Sequence, residues 1–339
     1  MPEYRKILLI QTAFLGDAIL TTPLVKALHE TYPQSVLDIL LIPETAIVYK
    51  YNPYIRQTLI FEKRKLFNRC LSFFSVLRKI RAQKYELAVS AQLSFTSSLF
   101  MYWGGIKHRL GFPRQKLTTM TVELPKGIPV HKRYLQLMTA LTANKFSAQT
   151  ELYWDEATEK QVNDLYRNNF TAEEIVIGIA PGSVWPTKRW LPEYYAEVIK
   201  QLHNRGYKTI LVGGKEDYKL CHSIALDSGM PTLNLAGGLS VLGSACLIKK
   251  LQLLISNDSA PLHLANAVQT DVIAIFGPTV KSFGFSPFRQ RDKVIEVELN
   301  CRPCGKHGHT ACPQQHFSCM KNIKPETVLN AVYELLEQN

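Results

Sequence analysis

Between Ile175 and Pro192 the chain reads IVIGIAPGSVWPTKRWLP, and this stretch limits the architecture more than any other. Ile175, Val176, Ile177 and Ile179 form a β-branched run that suits a strand covered on both faces. Pro181 and Gly182 stop that strand. The loop behind it carries two hydroxyls, Ser183 and Thr187, and two cations, Lys188 and Arg189. Leu191 and Pro192 then open a helix, with proline in the first turn, where its missing N–H is tolerated. A strand that ends in a Gly/Ser loop and feeds a helix is where α/β proteins bind phosphate. From this stretch alone, an ordinary strand–loop–helix with a solvated Lys-Arg pair reads equally well.

The unit recurs along the chain. Lys6 to Gln11 reads as a first strand, and Pro23 to Tyr32 as a helix with Leu24, Ala27, Leu28 and Tyr32 on one face. Further strands are expected at Val36 to Ile42, Leu87 to Ala91, Lys208 to Val212, Thr232 to Leu235, Leu251 to Ile255 and Asp271 to Phe276. Helices are expected at 192–204, at Ser240 to Lys250 and at Lys324 to Glu337. Gly206 is placed to end the first of these. Such alternation predicts an α/β fold with two doubly wound domains. Composition shifts near residues 145–172, and the domains are taken as 1–165 and 166–339. Ligands of such sheets sit at the carboxyl ends of strands, so a cleft between the domains is the expected site.

Charge is distributed unevenly. Of the net +12, residues 1–150 hold 21 Lys+Arg against 8 Asp+Glu, whereas 151–339 hold 19 against 20. The first half is therefore suited to an anionic partner, whether nucleic acid, a membrane surface or a phosphorylated substrate. Lys63 to Lys84 reads as an amphipathic helix with Leu66, Cys70, Phe73, Phe74, Leu77 and Ile80 on its apolar face. Packing into the core with a basic outer face is favoured over lying on a membrane. No apolar run approaches the roughly 18 residues a membrane span needs. The first residues do not read as a signal peptide, and a cytoplasmic place is expected. No helix-turn-helix, RNA-recognition or oligonucleotide-barrel pattern occurs, so no nucleic-acid partner is expected.

Three loops at expected strand ends carry the chemistry: 12–17, 181–189 and 257–263. Asp17, after Gly16, is either a helix cap or a general base. Asp258 is again a possible cap. Ser259, Ala260 and Leu262 offer backbone N–H groups at a helix start, suited to a diphosphate. His263 reads more readily as a packed histidine than as a catalyst.

Taken together, GDAILTTPL, HRLGF, PGSVWPTKRWLP, VGGKED, NDSAPLHLANA and CMKNIKPETV resemble, in order and spacing, the bacterial lipopolysaccharide heptosyltransferases, family 9 glycosyltransferases. The resemblance runs along nearly the whole chain. It implies the GT-B fold, two Rossmann-like domains with the donor nucleotide on the C-terminal one and the acceptor on the N-terminal one. It implies transfer of a heptose from ADP-heptose to a lipid A–core acceptor at the inner membrane surface, with no protein partner. Asp17 matches the base that takes the acceptor proton. Lys188 matches the lysine on the donor diphosphate, with Ser183 and Thr187 on its loop. Glu216 matches the acid on the donor ribose, and Asp258 the aspartate near the donor sugar. Ser259, Ala260 and Pro261 line the phosphate site, with His263 beside them; Pro261 has no N–H to give. A single displacement inverts the anomeric centre. No Asp-x-Asp motif occurs, so Lys188 and the helix dipole can hold the diphosphate without a metal cofactor. A related transferase with another donor or acceptor, or a silent sugar-nucleotide binder, fits the same motifs, and a nucleic-acid binder is the alternative the basic first half offers.

Cys301, Cys304, Cys312 and Cys319 form one cluster with His307, His309 and His316 among them. The spacing is compatible with a structural zinc, with disulfides, or with reduced thiols. None of the three would be catalytic.

Overall fold

The computed structural model describes residues 3–63, 66–123 and 127–337, and for 66–68 the backbone only. The chain divides into two compact units, Met1–Trp154 and Asp155–Asn339.

The first unit holds strands β1 (Lys6–Ile10), β2 (Val36–Leu41), β3 (Gln57–Ile60), β4 (Leu87–Ser90), β5 (His108–Gly111) and β6 (Met120–Thr121). Its helices are α1 (Leu15–Leu20), α2 (Thr22–Thr31), α3 (Leu66–Gln83), α4 (Phe95–Trp103) and α5 (Val130–Leu135). The sheet is parallel throughout, in the order β3-β2-β1-β4-β5-β6. Ile7, Leu8, Leu9 and Ile10 of β1 are fully buried, as a central strand covered on both faces requires. Beneath one face, Leu8, Ile10 and Leu40 meet Phe73, Val76, Leu77 and Ile80 of α3 and Phe100 and Met101 of α4.

Strands of the second unit are β7 (Val176–Ala180), β8 (Lys208–Leu211), β9 (Leu233–Asn234), β10 (Leu253–Asn257), β11 (Asp271–Phe276) and β12 (Lys293–Glu296). Its helices are α6 (Glu156–Asn169), α7 (Pro192–Asn204), α8 (Tyr218–Ser228), α9 (Val241–Ile248), α10 (Ala260–Ala267), α11 (Ser318–Lys321) and α12 (Pro325–Glu337). The order β12-β11-β10-β7-β8-β9 repeats the pattern of the first unit. Helix α7 packs on α8 and α12, while α9 packs on α6 and α10. Gly206 has φ 87°, the left-handed turn that ends α7 and that glycine adopts without strain.

In both sheets strand order reverses beside the first strand of the unit. The loops after β1 and β4, and those after β7 and β10, therefore flank a topological switch point, where open α/β sheets hold ligands.

Two expectations need correction. On α3, Phe73, Leu77 and Ile80 are buried, but Phe74 and Cys70 are exposed. The apolar face predicted from spacing is wider than the face the core takes up. Arg64, Lys65 and the side chain of Leu66 lie outside the described residues. Strands β3, β6 and β12 were not anticipated; they are short, outlying and only partly buried, so they lack a continuous apolar run.

Candidate active site

In the first unit, Asp17 stands in the first turn of α1, just past β1. The N-cap position there is Phe14, so Asp17 is not the cap. Its carboxylate oxygen Oδ1 accepts a hydrogen bond of 2.8 Å from the Tyr134 hydroxyl on α5. Tyr134 is buried, and burial together with the neighbouring carboxylate pushes its pKa well above the usual tyrosine value. It therefore acts as a neutral donor. The Arg133 guanidinium is within electrostatic reach of the same carboxylate; burial lowers its pKa and Asp17 opposes that. The loops beside Asp17 are tied together by Gln92 Nε2, which donates 2.6 Å to Thr12 Oγ1 and 2.9 Å to Ser97 Oγ. A half-buried carboxylate at a strand end, oriented by the Tyr134 hydroxyl, is suited to accept a proton from a substrate hydroxyl.

In the second unit the loops after β7 and β10 converge through Asn257, the last residue of β10. Its Oδ1 accepts from the Trp190 backbone N–H and from the Tyr195 hydroxyl, both at 3.0 Å, and its Nδ2 donates 2.8 Å to the Pro181 carbonyl. Trp190, fully buried, donates its indole N–H to Ile323 O at 3.0 Å. The loop carrying Ser183, Thr187 and Lys188 is thus stapled to the start of α10. Lys188 Nζ then lies 2.5 Å from Asp258 Oδ2, with side-chain exposures of 12% and 8%. The Thr279 hydroxyl, from the loop after β11, donates 2.6 Å to the same oxygen. The α10 N-cap is Ser259, so Asp258 is not the cap; its carboxylate is committed to Lys188 and Thr279.

Ala260 and Pro261 form the first turn of α10, and His263 follows one turn in. His263 is buried, its Nδ1 makes no hydrogen bond within the protein, and burial lowers its pKa to about 4. It is neutral at physiological pH, facing the Lys188–Asp258 pair. Ser183 is buried; its hydroxyl accepts from the Trp185 N–H at 3.3 Å, and its carbonyl from Arg189 Nε at 2.8 Å. Thr187 is bound on both sides to His309: its hydroxyl donates 3.0 Å to the His309 carbonyl and accepts 2.7 Å from the His309 N–H. Glu216 is exposed on the turn after β8. Its neighbour Asp217 packs inward, accepting from the Gly214 N–H at 2.9 Å. A Cβ on Gly182 would lie 2.3 Å from the Asp217 carboxylate, so a side chain at 182 would push Asp217 aside.

The two loops of the second unit thus present one cation, one helix N-terminus and several polar groups at one sheet edge. That combination is chemically suited to a doubly charged anionic group. Sequence reading missed Tyr134, Asn257, Thr279 and Asp217. Only Asn257, directly before Asp258, carried a signal, since an amide ending a wholly buried strand needs partners.

The sequence model of glycosyltransferase family 9 (heptosyltransferase) matches residues 73–317. The chain belongs to glycosyltransferase family 9. Lipopolysaccharide heptosyltransferase 2 of Salmonella typhimurium is 27% identical to this family 9 enzyme, over 98% of this chain and 99% of its own. The crystal structure of a family 9 glycosyl transferase from Veillonella parvula superposes with a TM-score of 0.87 at 24% identity, over 99% and 98% of the two chains. The ADP-heptose lipopolysaccharide heptosyltransferase II of E. coli gives 0.78 at 24% identity, over 98% and 99%. Those structures share its fold, two parallel α/β units of the GT-B type.

The family 9 enzyme carries Cys301, Cys304, Cys312 and Cys319 as free thiols. Among the described residues no three His, Cys, Asp or Glu side chains are arranged to hold a metal ion. Burial first, then the neighbouring thiols, push Cys319 up to about 11 and raise Cys304 as well. The segment matters to the site mechanically, because His309 sits on Thr187 and His307 stacks on Trp185 with centroids 6.2 Å apart.

Proposed function

We propose that this family 9 glycosyltransferase moves a heptose from ADP-heptose to an inner-core lipopolysaccharide acceptor, as a heptosyltransferase of type II, with inversion at the anomeric carbon. The observation that carries the donor side is the Lys188–Asp258–Thr279 cluster at the mouth of α10. Lys188 would turn from Asp258 to the diphosphate, with the first-turn N–H groups of α10 sharing the charge that gathers on departing ADP. Ser183 and Thr187 would hold the loop and Glu216 would meet the ribose. His263, kept neutral by burial, would line the pocket without adding to its charge. On the acceptor side, Asp17 held by Tyr134 would take the proton as the hydroxyl attacks.

The acceptor is lipid-borne, and we place the enzyme at the inner face of the inner membrane. No helix among the described residues is long and apolar enough to cross a membrane. The excess cation charge of residues 1–150 supports contact with an anionic acceptor and an anionic leaflet. Turnover with ADP-heptose and a core acceptor, set beside other nucleotide sugars, tests the reading. Preference for another sugar nucleotide would overturn the donor assignment, and retention of anomeric configuration the single displacement. Asp17→Ala should abolish transfer while ADP still binds.

A further inference from the structure

Among the described side chains of helix α3, Leu71 and Phe74 are apolar groups on its outer side. Leu71 is 60% and Phe74 64% exposed, although Phe73, Val76, Leu77 and Ile80 on the inner side already fill the core. Leu71, Phe74 and Arg78 are spaced three and four residues apart, so they form one stripe. The helix starts where β3 ends, and the Glu62 N–H donates 2.9 Å to Ser72 Oγ. Leu71 and Phe74 therefore stand towards the carboxyl edge of the sheet. At that edge Phe95, after β4, is 60% exposed and Phe14, beside Asp17, 56%. Lys63 reaches across it, donating 3.5 Å to the Thr12 carbonyl. From Glu62 to Glu123 the sequence holds twelve Lys and Arg against three acids, Glu62, Glu86 and Glu123. Arg69, Arg78, Lys79 and Arg81 are all exposed on α3.

We infer that this face of the first unit, α3 with the loops after β1 and β4, docks on an anionic lipid bilayer. Exposed aromatic and aliphatic groups interleaved with cations that outnumber the carboxylates match an anionic headgroup layer over acyl chains. A second copy of the chain fits poorly, because its cations would face these. The docking edge is also the edge that carries Asp17, so a lipid-anchored acceptor would offer its sugar to the base without leaving the leaflet. The inference rests on the lipid-borne acceptor proposed above and adds the surface that meets its membrane.

Co-sedimentation of the full chain with vesicles tests it. Vesicles of phosphatidylcholine with phosphatidylglycerol should bind the protein, those of phosphatidylcholine alone should not, and added salt should release it. Leu71→Ser with Phe74→Ser should cut partition about tenfold or more, and Arg78→Glu with Lys79→Glu should do the same. Both variants should turn over a deacylated, water-soluble acceptor at the wild-type rate, which also shows that they fold. Wild-type binding unchanged in both variants, or absent from anionic vesicles, overturns the inference. So does a variant that changes the oligomeric state and not vesicle binding, since the face would then meet another copy. Failure of the wild type to turn over the soluble acceptor would instead strike the proposed reaction and leave vesicle binding standing.

Discussion

Lys188 has two duties that can be separated. As the partner of a nearly buried carboxylate it holds the fold, and as a cation at the mouth of α10 it would hold the donor. Lys188→Ala leaves Asp258 with only the Thr279 hydroxyl, which should cost about 2–3 kcal/mol in denaturant melts, less than a fully orphaned buried charge. Adding Asp258→Asn removes the uncompensated charge and should restore most of that stability. ADP affinity, measured by calorimetry, should stay at least about tenfold down in the double variant; its recovery would assign Lys188 a purely structural role. Tyr134 is open to a similar test. Tyr134→Phe removes the hydroxyl that orients Asp17 and should lower kcat about tenfold with ADP affinity unchanged. An equal loss of ADP affinity would point to a general disturbance of the unit.

At the scale of elements, the proposed donor site is two loops and a strap. Asn257 joins the loops, and the segment around His309 straps the turn that carries Lys188. Gly308 lies so close that a Cβ there would meet Trp185 Cβ at 2.5 Å and Lys188 Cγ at 3.1 Å. Gly308→Ala should therefore lift the strap and weaken ADP binding about tenfold, although the residue touches no proposed ligand. Wild-type affinity in that variant would show the strap to be irrelevant. The start of helix α4, SFTSS, is mostly hydroxyl-bearing and gives no helical pattern, yet Ser94 caps it by accepting the Ser97 N–H, and Ser97 and Ser98 are buried. Serines at a helix start give the same local signal as a loop, and packing on β4 decides between them.

For the whole molecule, the buried His263 sets a pH dependence. Its folded pKa, about 4, lies below the ordinary histidine value of 6.5. The unfolded chain therefore takes up this proton first as pH falls. The stability its neutral form contributes is complete above about pH 6.5 and is lost progressively towards pH 4, up to about 3 kcal/mol. Melting temperature should drop between pH 7 and pH 5 by more in the wild type than in His263→Asn. Equal drops would mean that His263 stays accessible to protons in the folded chain.

Local pattern alone determined the two runs of alternating buried strands and helices, because a parallel strand covered on both faces must be apolar almost throughout. It determined the polar loops at the ends of those strands and the glycine that ends α7. The motifs, read in order, identified the family. Tertiary structure decided the rest. That Asp17 is held by Tyr134, more than a hundred residues away, and that Asp258 pairs with Lys188 rather than capping a helix, depend on which strands lie side by side. Phe74 faces outwards for the same kind of reason: helical spacing fixes which residues share a face, while only packing fixes how wide a stripe the core will cover.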